Sequence, residues 1–71
     1  MKQPDTIPPQ VTQALQRWAK QHPTKMVDPL TGLECDVAVP PAVEWNSLGG
    51  HYFFYANGMY HGVELDGYIH T

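Results

Sequence analysis

The sequence predicts a small α+β domain: one N-terminal amphipathic helix packed on a small antiparallel sheet that ends in a C-terminal β-meander. Three observations predict it. Apolar residues recur at helical spacing between Val11 and His22. Apolar and acidic residues alternate between Leu33 and Val39. An aromatic run, His51 to Ala56, is followed at once by Asn57-Gly58 and a second strand-like run. A spacing of three and four marks a helix face, and a spacing of two marks a strand face.

The helix comes first. Pro8 and Pro9 suit a helix start, where a missing N–H costs no hydrogen bond. Val11, Ala14, Leu15, Trp18, Ala19 and His22 then form one mostly apolar stripe, while Gln10, Gln13, Gln16, Arg17, Lys20 and Gln21 fill the other faces. Pro23 disfavours helical geometry at His22, so the helix ends there. Lys20 and His22 suit the negative end of the helix dipole. Residues 1–7 carry no periodicity and are expected to be a mobile arm, with residues 8–71 as a single domain.

Asp28-Pro29-Leu30-Thr31-Gly32 has turn chemistry. Leu33, Cys35, Val37 and Val39 alternate with Glu34, Asp36 and Ala38, which predicts a half-buried strand with Cys35 facing inward as an inert thiol. Pro40-Pro41 ends it. Residues 42–48 are expected to make a short helical turn stopped by Gly49. Trp18 and Trp45 read as core anchors, Trp45 being the more exposed of the two.

The last third reads as a meander. Asn57-Gly58 is a type I′ hairpin signal and sets the register. Ala56 then faces Met59, and the pairs run Tyr55–Tyr60, Phe54–His61, Phe53–Gly62, Tyr52–Val63 and His51–Glu64. One face carries Tyr52, Phe54, Ala56, Met59, His61, Val63 and Leu65, and is assigned to the core. The other carries His51, Phe53, Tyr55, Tyr60, Gly62 and Glu64, with His51 and Glu64 placed as an ion pair. Asp66-Gly67 offers a further turn, and residues 68–71 a short third strand. Two readings of Phe53, Tyr55 and Tyr60 stay open. They are cross-strand packing partners under a cover, or they are an interaction patch, since Tyr and Phe are enriched in interface cores.

Composition bounds the function. With 71 residues there is room for one domain, and a domain of this size buries only about 60% of its unfolded surface. Beginning at Met1, the chain reads as a complete small gene product. Cys35 is the single cysteine, so no internal disulfide forms and a reducing, cytoplasmic setting is expected. No apolar run approaches the roughly 20 residues that cross a bilayer. All four basic residues, Lys2, Arg17, Lys20 and Lys25, precede Asp28, whereas Asp28, Glu34, Asp36, Glu44, Glu64 and Asp66 follow with no Lys or Arg among them. The acidic body is either a solvated surface or one matched to a basic partner. Direct nucleic-acid binding is not expected, because phosphate contacts need clustered bases.

Catalytic signals are sparse. His22, His51, His61 and His70 fall at no metal-ligand spacing, although His61 and His70 share a face. Ser47 lacks a nucleophile-elbow context, Gly49-Gly50 is too isolated for a phosphate loop, and Glu44, Glu64 and Asp66 form no acid/base pair. The expectation is a binding protein rather than an enzyme, without cofactor or metal. Its candidate partner-binding residues are Arg17, Lys20, Glu34, Asp36, Phe53, Tyr55 and Tyr60.

The general plan, one helix, a small sheet, no catalytic motif and an acidic body, resembles small phage-encoded regulators that bind host machinery. Among them it is most similar to the short proteins that bind bacterial RNA polymerase, block promoter use and favour antitermination. The resemblance covers size and layout and carries over no residue. It implies an inhibitor in the host cytoplasm, with an acidic body against a basic polymerase surface and a basic helix or arm against an acidic one; the oligomeric state stays open, with a monomer favoured. The rival expectations are an inhibitor of a host defence nuclease and an assembly subunit that self-associates through its aromatic face. An enzyme or metalloprotein is the third alternative.

Overall fold

The computed structural model describes residues 1–70. It has one helix and two small antiparallel sheets, an α+β fold. Helix α1 spans Pro9–Gln21. Pro8 is extended at its start (φ −56°, ψ 143°), and its carbonyl accepts from the N–H groups of Val11 (3.0 Å) and Thr12 (3.2 Å). The helix closes at His22, whose N–H still reaches Trp18 O at 2.9 Å while its own backbone has left the helical region (φ −130°, ψ 65°). That is the conformation a following proline enforces. Val11, Ala14, Leu15, Trp18 and Ala19 are buried. His22, read as the last member of the stripe, is instead exposed and stacks on the Trp18 indole, with centroids 4.4 Å apart.

The helix covers a three-stranded sheet of order β3-β4-β5: Glu44–Asn46, His51–Ala56 and Met59–Val63. Asn57 (φ 55°) and Gly58 (φ 80°) both take positive φ, as a type I′ turn requires. The β4–β5 register runs Ala56↔Met59, Tyr55↔Tyr60, Phe54↔His61, Phe53↔Gly62 and Tyr52↔Val63, as the turn predicts. Tyr52, Phe54, His61 and Val63 therefore point inward and are buried. Val11, Leu15, Trp18, Tyr52, Phe54 and Val63 form the core, flanked by Val43, Trp45, Ala56 and Ile69. Met59 and Leu65, assigned to the same face, are exposed. One sits beside the turn and the other past the end of β5. Beyond β5 the expected third strand is reduced to one bridge, Val63↔Ile69, with His70 N–H donating to Gly62 O (2.8 Å) and Glu64 N–H to Tyr68 O (2.8 Å). Thr71 lies outside the described residues.

Strands β1 (Thr24–Val27) and β2 (Glu34–Val37) form a sheet of their own, with Lys25 opposite Asp36 and Met26 opposite Cys35. The turn between them is tightly bonded. Gly32 N–H donates to Asp28 O (2.7 Å), Asp28 N–H to Leu33 O (2.9 Å), and Leu30 N–H to Asp28 Oδ1 (2.9 Å). Every residue of the pair is exposed except Val37, which is half-buried. The expected half-buried strand with an inward Cys35 is thus corrected. The strand exists, but among the described residues its partner is β1 alone, and Leu33 and Cys35 are left exposed. The molecule is accordingly elongated, 47 × 24 × 17 Å.

The expected helical turn over 42–48 is also corrected. Residues 44–46 are strand β3, and residues 47–50 are the turn into β4. Asn46 decides this. Its Oδ1 accepts from the N–H groups of Leu48 (3.0 Å) and Gly49 (3.1 Å), and its carbonyl accepts from Gly50 N–H (2.8 Å). Such local bonds compete with a helix. The left-handed position is Gly50 (φ 68°), not Gly49. Trp45 packs edge-on against Tyr52 at 5.0 Å and donates its Nε1–H to Met1 O at 3.0 Å. The Met1 ammonium donates to Ser47 O, so the first residue rests on the β3 region.

Candidate protein-interaction surface

The pleat that sends Tyr52 and Phe54 under the helix sends His51, Phe53 and Tyr55 to the opposite face. On β5 the outward residues are Tyr60 and Gly62. Tyr60 sits between two aromatic neighbours, edge-on to Tyr55 at 4.9 Å and to Phe53 at 5.8 Å. Tyr55 is 61% exposed and Tyr60 70%, while Phe53 is half-buried. The helix spends its apolar face on the inner side of the sheet, and the ribbon forms a separate sheet, so the two tyrosines stay in water.

β3 extends this face. Glu44 pairs with Phe53 and Asn46 with His51. Glu44, Asn46, His51, Phe53, Tyr60 and Gly62 line a shallow depression of about 460 Å³. A second hollow runs along the other side of Phe53 and Tyr60, bounded by Pro41, Ala42 and Tyr55. The C-terminal residues supply the remaining border. His70 lies beside Gly62 and donates its Nε2–H to Glu64 Oε1 at 2.9 Å. This corrects the expected His51–Glu64 ion pair. The Asp66-Gly67 turn brings residue 70 back along β5, and Glu64 meets His70 instead.

The candidate residues fall in three places. Phe53, Tyr55 and Tyr60 come together as one cluster. Arg17 and Lys20 are exposed on α1, and Glu34 and Asp36 are exposed on the ribbon. Glu44, Asn46 and His70 border the aromatic face but were not among the candidates. A three-residue strand is too short to show a period, and His70 reaches the face only through a turn. Among the described residues no group of three or more His, Cys, Asp or Glu is placed to hold a metal ion. No helix among them is long and apolar enough to cross a membrane.

The chain matches no family model, no curated protein and no solved structure.

Proposed function

We propose that this chain is a small protein-binding module that inhibits or modulates a larger macromolecular machine by seating its outer sheet face on it. The observation that carries the reading is the cluster of Phe53, Tyr55 and Tyr60 on the side of the sheet the helix leaves bare, with both tyrosines open to water and Phe53 half-buried. Contiguous exposed aromatic surface is unusual on a small domain unless it is used, and tyrosines give large contact area at low entropic cost. The division of charge supports an electrostatically guided encounter, with the four bases on the arm, α1 and β1, and all acids but Asp5 on the rest. Bacterial RNA polymerase is the partner that the resemblance to phage-encoded regulators implies, which places the protein in the cytoplasm with it.

The test is direct binding to purified bacterial RNA polymerase, core and holoenzyme, together with capture from a bacterial lysate. Tyr55→Ala and Tyr60→Ala should keep the circular dichroism spectrum and melting curve while weakening binding. The loss reaches about 2 kcal/mol or more if either residue is a hot spot. Normal binding by both variants would refute the assignment of this face.

A further inference from the structure

We infer that the depression on the outer sheet face takes a cationic side chain of the partner, an arginine guanidinium. The inference rests on the reading of this face as the partner-binding surface and supplies its chemistry. Three strands contribute one row each. Across the sheet, Glu44 stands opposite Phe53, and Phe53 opposite Gly62. Directly opposed side chains in a sheet lie about 4.5–5.5 Å apart at Cβ. A carboxylate therefore stands next to an aromatic ring at the mouth of an open hollow.

Glu44 is exposed and makes no ion pair among the described residues. The basic side chains of the chain are Lys2, Arg17, Lys20 and Lys25, and none of them belongs to β3, β4 or β5. The face thus offers a carboxylate with no ion-pair partner among the described residues, beside the rings of Phe53 and Tyr60. A guanidinium matches both features at once. It is planar, stacks on aromatic rings, and donates two parallel hydrogen bonds to a carboxylate. A lysine ammonium would meet the charge without the planar match.

Gly62 shapes the hollow. It is not among the positive-φ residues, so its backbone does not demand glycine. A Cβ there would stand 3.3 Å from the rings of both His51 and His70. Glycine at this position lets the two imidazoles flank the hollow while its floor stays open. An exposed aromatic sheet also suits stacking of unpaired bases. That use requires cations for the phosphates, and Glu44 would repel them.

The probe is a nine-residue arginine peptide, followed by amide NMR and calorimetry on the full chain, with a nine-residue lysine peptide and a single-stranded oligonucleotide alongside. Shifts should centre on Phe53, Tyr60 and Gly62, and arginine should bind more tightly than lysine. Glu44→Gln should weaken the arginine peptide about threefold to fivefold, the size of an exposed ion pair. Asp5→Asn removes the same charge from the exposed N-terminal arm and should leave affinity nearly unchanged. Gly62→Ala, checked for folding by its amide spectrum, should also weaken binding by narrowing the hollow. Equal losses from Glu44→Gln and Asp5→Asn would reduce the effect to net charge and overturn the inference. So would preferential binding of the oligonucleotide. If the arginine peptide leaves the face untouched while Tyr55→Ala and Tyr60→Ala still weaken the native partner, the cation site falls and the surface stands. If those two variants bind the partner normally, the surface reading falls with it.

Discussion

The imidazole of His61 lies nearly flat against the ring of Phe54, with centroids 5.0 Å apart and planes 20° from parallel. The two residues are direct cross-strand partners on the buried face. Each ring nitrogen of His61 also meets a carbonyl oxygen: Nδ1 stands 3.1 Å from His70 O and Nε2 3.2 Å from Ala56 O. Carbonyls only accept, and a neutral imidazole donates through one nitrogen at a time. A neutral His61 thus bonds one of the two carbonyls, that of Ala56 beside the hairpin turn or that of His70 in the C-terminal segment. His61→Phe would keep a ring against Phe54 and lose the donor. The expected cost is about 1–3 kcal/mol, the penalty for stranding a buried polar group. Urea unfolding of the two proteins measures it.

Tyr52 offers the opposite case. Its side chain is 1% exposed, and its hydroxyl is buried with no hydrogen-bond partner among the described residues. Tyr52→Phe should therefore raise stability, by about 1 kcal/mol, at the low end of the cost of an unsatisfied buried polar atom. The denaturation midpoint should move up with an unchanged slope.

Trp18 connects the helix to the sheet. Its indole meets Phe54 edge-on at 4.9 Å and lies 6.0 Å from the His61 ring. Trp18→Ala should cost about 3–5 kcal/mol. That is a large part of the roughly 5–15 kcal/mol that holds an ordinary domain together. An unchanged melting curve would remove Trp18 from the core.

Gly58 separates backbone strain from packing. It has φ 80°, and an added Cβ would meet nothing within 4 Å. Any loss on Gly58→Val is therefore conformational. About 1–2 kcal/mol is expected for an L-residue in the left-handed region, and more for a β-branched one. Cross-strand amide contacts between Tyr55 and Tyr60 should weaken with it.

The charge division predicts a salt-sensitive on-rate. Association with the partner should slow as ionic strength rises through about 0.15 M, where the screening length is ~8 Å. Reversing Glu34 and Asp36, or separately Arg17 and Lys20, should slow binding and leave the fold intact, since all four are exposed. Stopped-flow rates that ignore salt would leave these charges as a solubility feature.

The sequence by itself determined the helix, its two ends and the whole β4–β5 register. Those features rest on local chemistry: prolines at Pro8, Pro9 and Pro23, a repeat of three and four, and a turn in which Asn57 and Gly58 both accept positive φ. Register followed from the turn because side chains alternate strictly along a strand. Only the tertiary structure decided what lies over each face. Leu33 and Cys35 alternate like core residues, yet they are exposed because β2 found β1 rather than the main sheet. Residues 44–46 became a strand because β4 offered an edge and Asn46 capped the turn that follows. Glu64 chose His70 over His51 because the chain doubled back at Gly67. Whether Phe53, Tyr55 and Tyr60 would be covered was open for the same reason. A periodic pattern tells which residues share a face, but burial is settled by which distant segment arrives to cover it, and among the described residues none covers Tyr55 and Tyr60.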